Sequence, residues 1–103
     1  MIQALLKYGR KYISGRLTIY QDSSIPGLKE RFEVAYLIPG PAGGAVQRNR
    51  LKRWLREDFN KLQKEKGING AFAIKFKGNA ADTSHAELSE DLKKAYYSVK
   101  ADG

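Results

Sequence analysis

The sequence predicts an α+β domain in which helices pack on a small β-sheet. Segments with the apolar alternation and β-branched content of strands lie at 16–20, 31–38 and 71–76. Two longer segments, 45–66 and 83–99, repeat apolar residues at helical spacing. A chain of 103 residues with no cysteine must be stabilised by its core rather than by disulfides. We therefore expect one domain over residues 1–103.

The first part of the chain predicts a short helix and two strands. Residues 2–8 ("IQALLKY") have helically spaced apolar side chains, and Gly9 can end this helix. The strand segments 16–20 ("RLTIY") and 31–38 ("RFEVAYLI") are separated by a loop rich in Asp, Ser, Pro and Gly at 21–30. We expect the two strands to pair antiparallel, as in a hairpin.

The middle of the chain predicts a connector, a long helix and a third strand. The segment 39–44 ("PGPAGG") cannot continue a strand or a helix. The helix is expected over 45–66, with Gly67 near its end, and the strand over 71–76 ("AFAIKF").

The last segment, 83–99, predicts a helix that starts with a capping box from Ser84 to Glu87. Its apolar stripe consists of Leu88, Leu92, Ala95, Tyr96 and Val99. The element order is α, β, β, α, β, α, with room for another short strand before the long helix. This order is typical of helices layered on a small sheet.

The positive charge is concentrated in one part of the sequence. The net charge is +8, and residues 1–56 hold eleven Lys and Arg against three acids, whereas residues 57–103 hold eight of each sign. All seven arginines lie in the first part, and the planar guanidinium suits phosphate better than an ammonium does. The partners to consider are nucleic acid, an anionic membrane surface and an acidic protein.

No apolar run approaches the ~20 residues of a membrane span. The start of the chain, "MIQALLKYGRKY", lacks the apolar stretch and cleavage site of a signal peptide. We expect a cytoplasmic protein.

The long helix separates apolar from basic residues. At about 100° per residue, four apolar side chains and a flanking tryptophan define a core face: Leu51, Trp54, Leu55, Phe59 and Leu62. The opposite side has a polar stripe: Asn49, Lys52, Arg53, Arg56 and Asn60. Lys52 lies at the margin of this stripe, and Arg48 and Arg50 flank it.

An ordinary solvated helix face would mix charges of both signs for i,i+4 pairing. Here residues 47–56 contain no acid. The basic residues also crowd the N-terminal half of the helix, where the helix dipole disfavours them. Contact with phosphate explains this pattern, because Arg and Lys neutralise phosphates and Asn can bond to phosphate, sugar or base.

RNA is favoured over DNA as the nucleic acid. No helix-turn-helix, zinc or dimeric context for major-groove reading is visible. Tyrosines that can stack on unpaired bases lie in the same basic part of the chain: Tyr8, Tyr12, Tyr20 and Tyr36. Each of them, taken alone, is more often a core or rim residue.

Residues 43–59, "GGAVQRNRLKRWLREDF", resemble the motif G-N-A-V-x-R-N-R-x-K-R-x-x-R-x-x-F of the bacterial ribonuclease P protein component. The other segments resemble this family in the same order. "IQALLKYG" is similar to its first helix and "GRLTIY" to its first strand, while "GAFAIKF" and "SHAELSEDLKKAYY" are similar to its closing strand and helix.

The resemblance implies a small α-β sandwich of αβββαβα type with a left-handed βαβ crossover, a fold shared with the second domain of a small-subunit ribosomal protein. It implies an endoribonuclease subunit that binds a catalytic RNA and the 5′ leader of precursor tRNA. The RNA holds the catalytic centre and its Mg²⁺, so no residue of this chain is expected to be catalytic or to bind metal. No obligate protein partner is evident.

The resemblance also assigns site residues. The residues expected to bind the RNA subunit are Arg48, Asn49, Arg50, Lys52, Arg53 and Arg56. The residues expected to bind the leader are Tyr20, Ile2, Leu6, Tyr36 and Arg16. Ile2 and Leu6 stand where the family has phenylalanines, and residues 39–41 (Pro-Gly-Pro) replace its Ser-Lys-Lys.

Other functions fit the sequence less well. A protein-only nuclease needs clustered carboxylates or histidines, and His85 is alone at a helix start, where we expect a surface or capping role. Gly43 and Gly44 lack the Gly-Lys-Ser/Thr of a phosphate loop. A membrane-surface helix is disfavoured because so small a domain needs the apolar face for its core. The alternative that stays open is a non-catalytic structural RNA-binding protein of ribosomal-protein type.

Overall fold

The computed structural model describes residues 2–22 and 32–102, which form three helices, four strands and two 3₁₀ turns. The elements follow the chain in this order: α1 (Ile2–Tyr8), β1 (Arg10–Ser14), β2 (Leu17–Asp22), β3 (Phe32–Leu37), a 3₁₀ turn (Gly40–Ala42), α2 (Ala45–Lys66), β4 (Gly70–Phe76), a 3₁₀ turn (Ala80–Asp82) and α3 (His85–Asp102). The predicted α+β class is confirmed. Most of the expected loop, residues 23–30, lies outside the described residues.

The sheet has the strand order β1-β2-β4-β3. β2 is antiparallel to both β1 and β4, whereas β3 is parallel to β4. A parallel pair needs a crossover connection, and α2 supplies it between β3 and β4. The left-handedness of this crossover stays a prediction.

The expected pairing between the strands at 16–20 and 31–38 is wrong, because β4 lies between β2 and β3. β4 is buried at every position except Lys75. A strand that is apolar on both faces belongs in the centre of a sheet, with a neighbour on each edge. The further short strand was expected directly before the long helix. It is instead β1, which lies directly before β2.

The two faces of the sheet are covered unequally. On one face, α2 and α3 enclose the main core with alternate residues of β2 and β4: Leu17, Ile19, Phe72, Ile74 and Phe76. On the other face, α1 places Leu5 against Ala71 and Ala73, with Tyr20 and Leu37 packed beside them. We call this second, thinly covered side the α1 face.

The hairpin between β1 and β2 is held by α3. Gly15 has φ +53°, a left-handed conformation that glycine adopts without strain. The backbone N–H of Arg16 donates to Asp91 Oδ2 at 3.1 Å, and the Arg16 guanidinium donates to Glu87 Oε2 at 2.8 Å. The first turns of α3 thus contact the turn of the hairpin through two carboxylates.

The start of α3 and the end of α2 lie where the capping box and the glycine predicted them. The Ser84 hydroxyl accepts a hydrogen bond from the Glu87 N–H at 3.2 Å, as a capping box requires. The hydrogen bond with the Ser84 side chain and then the charge of Arg16 hold the pKa of Glu87 below its ordinary value. At the end of α2, Gly67 is left-handed (φ 64°) and its N–H donates to the Gln63 carbonyl.

The hairpin turn gives a testable prediction for Gly15→Ala. A Cβ at this position would lie 2.5 Å from the Asp91 carboxylate oxygens, on a backbone that side chains rarely adopt. We expect the free energy of unfolding in urea to fall by about 2 kcal/mol or more. Gly40→Ala is the matched control, since a Cβ there meets nothing within 4 Å, and it should change stability by less than about 0.5 kcal/mol. Equal effects of the two substitutions would contradict this account of the turn.

Candidate nucleic-acid interface

The two sides of α2 separate as the helical wheel predicts. Leu51, Leu55 and Phe59 are fully buried, and Leu62 is nearly so. We call the opposite surface of the helix the basic face and define it by the six predicted RNA-binding residues: Arg48, Asn49, Arg50, Lys52, Arg53 and Arg56. Asn49, Arg53 and Arg56 are exposed, whereas Arg48, Arg50 and Lys52 are half-buried.

The charges of the basic face are not neutralised within the described part of the chain. The four ion pairs between described residues join Arg16 to Glu87 and Asp91, His85 to Asp58, and Lys94 to Glu90. None of them includes a residue of the basic face. A charged surface without internal partners is free to neutralise the charge of a polyanion.

The start of α2 is fixed by side-chain contacts to the preceding glycines. Arg48 Nε donates to the Gly43 carbonyl at 3.1 Å, and the Gly44 N–H donates to Gln47 Oε1 at 3.2 Å. The Arg48 hydrogen bond uses one donor of the guanidinium. Its two Nη groups carry four further N–H donors that can contact phosphate.

A depression of about 370 Å³ lies where β3 ends, beside the basic face. Its walls include Tyr36 and Pro39, and two lysines from different elements, Lys52 of α2 and Lys75 of β4, line it. The Tyr36 hydroxyl is buried and has no hydrogen-bond partner among the described residues. Burial raises the pKa of Tyr36 to about 12, against the opposing effect of the nearby Arg56 charge. The hydroxyl is therefore neutral at any ordinary pH.

The predicted leader-binding residues whose side chains are described lie in different parts of the structure. Tyr20 lies on the α1 face, and Leu6 of α1 is 37% exposed. Tyr36 packs against the main core on the other face, and Arg16 is bound to the carboxylates of α3. The backbone of Ile2 begins α1, but its side chain lies outside the described residues.

Sequence reasoning missed a contact between α2 and α3 that involves His85. The expected surface or capping role omits its two partners, since the imidazole stacks on Trp54 and its Nε2 lies 3.0 Å from Asp58 Oδ2. The i,i+4 spacing of Trp54 and Asp58 was the available signal, because it places both side chains on one side of the helix.

Neither a metal cluster nor a membrane helix is found in the described ranges. Residues 2–22 and 32–102 contain no group of three His, Cys, Asp or Glu side chains placed to hold a metal ion. No helix in these ranges is long and apolar enough to cross a bilayer.

The sequence of this chain is similar to known ribonuclease P proteins. The family model for ribonuclease P matches residues 1–100. The ribonuclease P protein component of an Exiguobacterium species is 29% identical over 98 residues, covering 95% of this chain and 82% of that protein. The component of Dehalococcoides mccartyi is 33% identical over 89 residues, covering 86% and 70%.

Solved structures show the same fold at lower sequence identity. The RNase P protein of Staphylococcus aureus superimposes with a TM-score of 0.80 at 22% identity, over 96% of this chain and 88% of that one. The RNase P protein of Thermotoga maritima, in a complex with a fluorophenyl thiourea, gives 0.77 at 18% identity, over 89% and 87%.

The structure is a small α+β domain that carries a strongly basic helix surface. The chain belongs to the ribonuclease P protein family, since the family model covers nearly its whole length. Members are protein subunits of an endoribonuclease that processes tRNA and contains an RNA.

Proposed function

We propose that this chain binds the catalytic RNA of ribonuclease P through the basic face of α2. The observation that carries this proposal is the acid-free helix surface whose charges have no ion-pair partner among the described residues. Phosphates of an RNA would neutralise these charges and release counterions, which makes association favourable and dependent on salt. The residues of this contact are the six of the basic face.

The second part of the proposal concerns the 5′ leader of precursor tRNA. Tyr20 and Leu6 lie on the α1 side of the sheet, where only one short helix of the described chain covers the strands. A tyrosine ring can stack on an unpaired base, and an aliphatic side chain can pack against one. Lys75 lines the depression at the end of β3 together with Lys52 of the basic face, and it offers an ammonium group to the phosphates of a single strand. Tyr36 contributes its ring to the wall of this depression rather than a base-stacking surface on the α1 face.

Cleavage itself is assigned to the RNA. The described residues offer no carboxylate or imidazole cluster that fits Mg²⁺. In this proposal the Mg²⁺ ion is held by the RNA and by substrate phosphates. The contribution of this chain is to position the precursor and to offset repulsion between the phosphates of two RNAs.

Reconstitution with bacterial ribonuclease P RNA tests the proposed function. At low Mg²⁺ concentration, adding this protein should increase the rate of precursor-tRNA cleavage, because protein cations replace part of the counterion requirement of the RNA. The measurement is the single-turnover cleavage rate with and without the protein. A protein that binds the RNA but leaves this rate unchanged would instead be a non-catalytic structural RNA binder.

The contribution of the basic face is tested by Arg53→Ala combined with Arg56→Ala. Both guanidinium groups are exposed, so their removal should leave the fold intact. The slope of log affinity for the RNA against log salt concentration should fall by about one unit for each phosphate that the variant no longer neutralises.

The matched control for that slope is Lys93→Ala combined with Lys94→Ala, which removes the same charge from exposed positions of α3. It should leave the slope close to that of the unmodified chain. Equal reductions by the two pairs would show that only net charge matters, and an unchanged slope for the arginine pair would remove these residues from the interface.

A further inference from the structure

Four side chains form a connected series along one edge of α2. Arg50, Trp54 and Asp58 are spaced four residues apart, so that they follow one another along the same side of the helix. His85, the first residue of α3, joins them from outside. Within this series, successive side chains contact each other from Arg50 to Trp54, to His85 and to Asp58.

The orientation of the indole is fixed from the α3 side. The Trp54 and His85 rings are parallel to within 1° and their centroids are 4.9 Å apart. His85 is in turn held by Asp58, whose Oδ2 lies 3.0 Å from Nε2 and whose side chain is 12% exposed. Trp54 also packs against the main core. These contacts therefore restrict the orientation of the Trp54 indole.

Arg50 depends on this ring for its own position. Its guanidinium carbon lies 5.1 Å from the Trp54 ring centroid, within the range of a cation–π contact. Its Nε is buried and has no hydrogen-bond partner among the described residues, and no described carboxylate pairs with it. No acceptor in the described chain holds Nε, so the contact with the indole face takes part in restricting the rotamers of Arg50.

We propose that Trp54, His85 and Asp58 are positioning residues that hold the Arg50 guanidinium ready for a phosphate of the RNA. Their contacts leave the four Nη N–H donors of Arg50 available, and a donor group that is already ordered loses less entropy on binding. This inference rests on the proposed function, because it takes the basic face as the RNA-binding surface. It adds to that surface three residues that do not touch the RNA themselves.

A double-mutant cycle on the full-length chain tests the proposal. Affinity for bacterial ribonuclease P RNA is measured against salt concentration for Arg50→Ala, Trp54→Leu and the double variant. Trp54→Leu alone should weaken binding about threefold to fivefold, the size of a cation–π contact. The double variant should bind the RNA as weakly as Arg50→Ala alone, because Arg50 is the group through which Trp54 acts. The salt slope should fall in each single variant and no further in the double.

Two controls separate positioning from a general effect on the fold. Trp54→Leu combined with Arg53→Ala should give the product of the two single effects, since the proposed series does not include Arg53. Trp54→Phe keeps an aromatic face and should restore most of the affinity and the slope.

His85→Ala provides a second cycle with Arg50→Ala if Trp54→Leu fails to fold. The His85 side chain is 42% exposed, so its removal should leave the domain folded, as thermal unfolding would show. It should weaken RNA binding only while Arg50 is present.

The outcomes distinguish this inference from the function on which it rests. If the unmodified chain binds the RNA with a salt-dependent affinity but the cycles with Arg50 are multiplicative, the positioning role is wrong and the proposed function stands. If the unmodified chain does not bind the RNA, both fail.

Discussion

The packing of Phe59 is the interaction on which the rest of the structure depends. Its ring is fully buried and makes edge contacts with Phe32 of β3, Phe72 of β4 and Tyr96 of α3, at centroid distances of 5.7, 5.0 and 5.7 Å. One side chain of α2 therefore meets two strands and the other long helix of the main core. Such edge-to-face pairs add to the free energy gained by burial and fix the rotation of the helix about its axis. With Phe59 inward, the basic face must point outward.

The magnitudes explain why the helix tolerates its charge. Like-charged neighbours at i,i+4 cost about 0.2–0.5 kcal/mol each, and cations near a helix N-terminus cost roughly 0.3–1 kcal/mol. Full burial of a leucine or phenylalanine gains about 1.5–3 kcal/mol, and α2 buries Leu51, Leu55, Phe59 and Leu62. The apolar side therefore outweighs the repulsion on the opposite side. Folding tolerates the basic face without needing it, and the RNA-binding role proposed above would account for its presence.

The sequence predicted what depends on local patterns and missed what depends on distant contacts. Helical periodicity and the glycine and serine signals placed α2 and α3 within a few residues, and the motif at 43–59 indicated the family. β1 was not predicted, because only Tyr12 of its five residues is buried and the alternation of apolar and polar residues is therefore weak. The pairing of β2 with β3 was wrong because pairing is decided by the doubly buried β4, a property of the whole sheet. For the same reason Tyr20 and Tyr36 lie on opposite faces. The contacts of Arg16 with α3 could not be predicted, because they join residues that are far apart in the sequence.

Chemical modification read by mass spectrometry tests the central claim most directly, that α2 binds RNA with its basic face while its apolar face stays in the core. Arginines and lysines of the full-length chain are modified with and without saturating bacterial ribonuclease P RNA. The account predicts strong protection of Arg53, Arg56 and Lys52, and unchanged reactivity of Lys93 and Lys94 on α3. Protection of the α3 lysines, with the α2 residues as reactive as in the free chain, would contradict it.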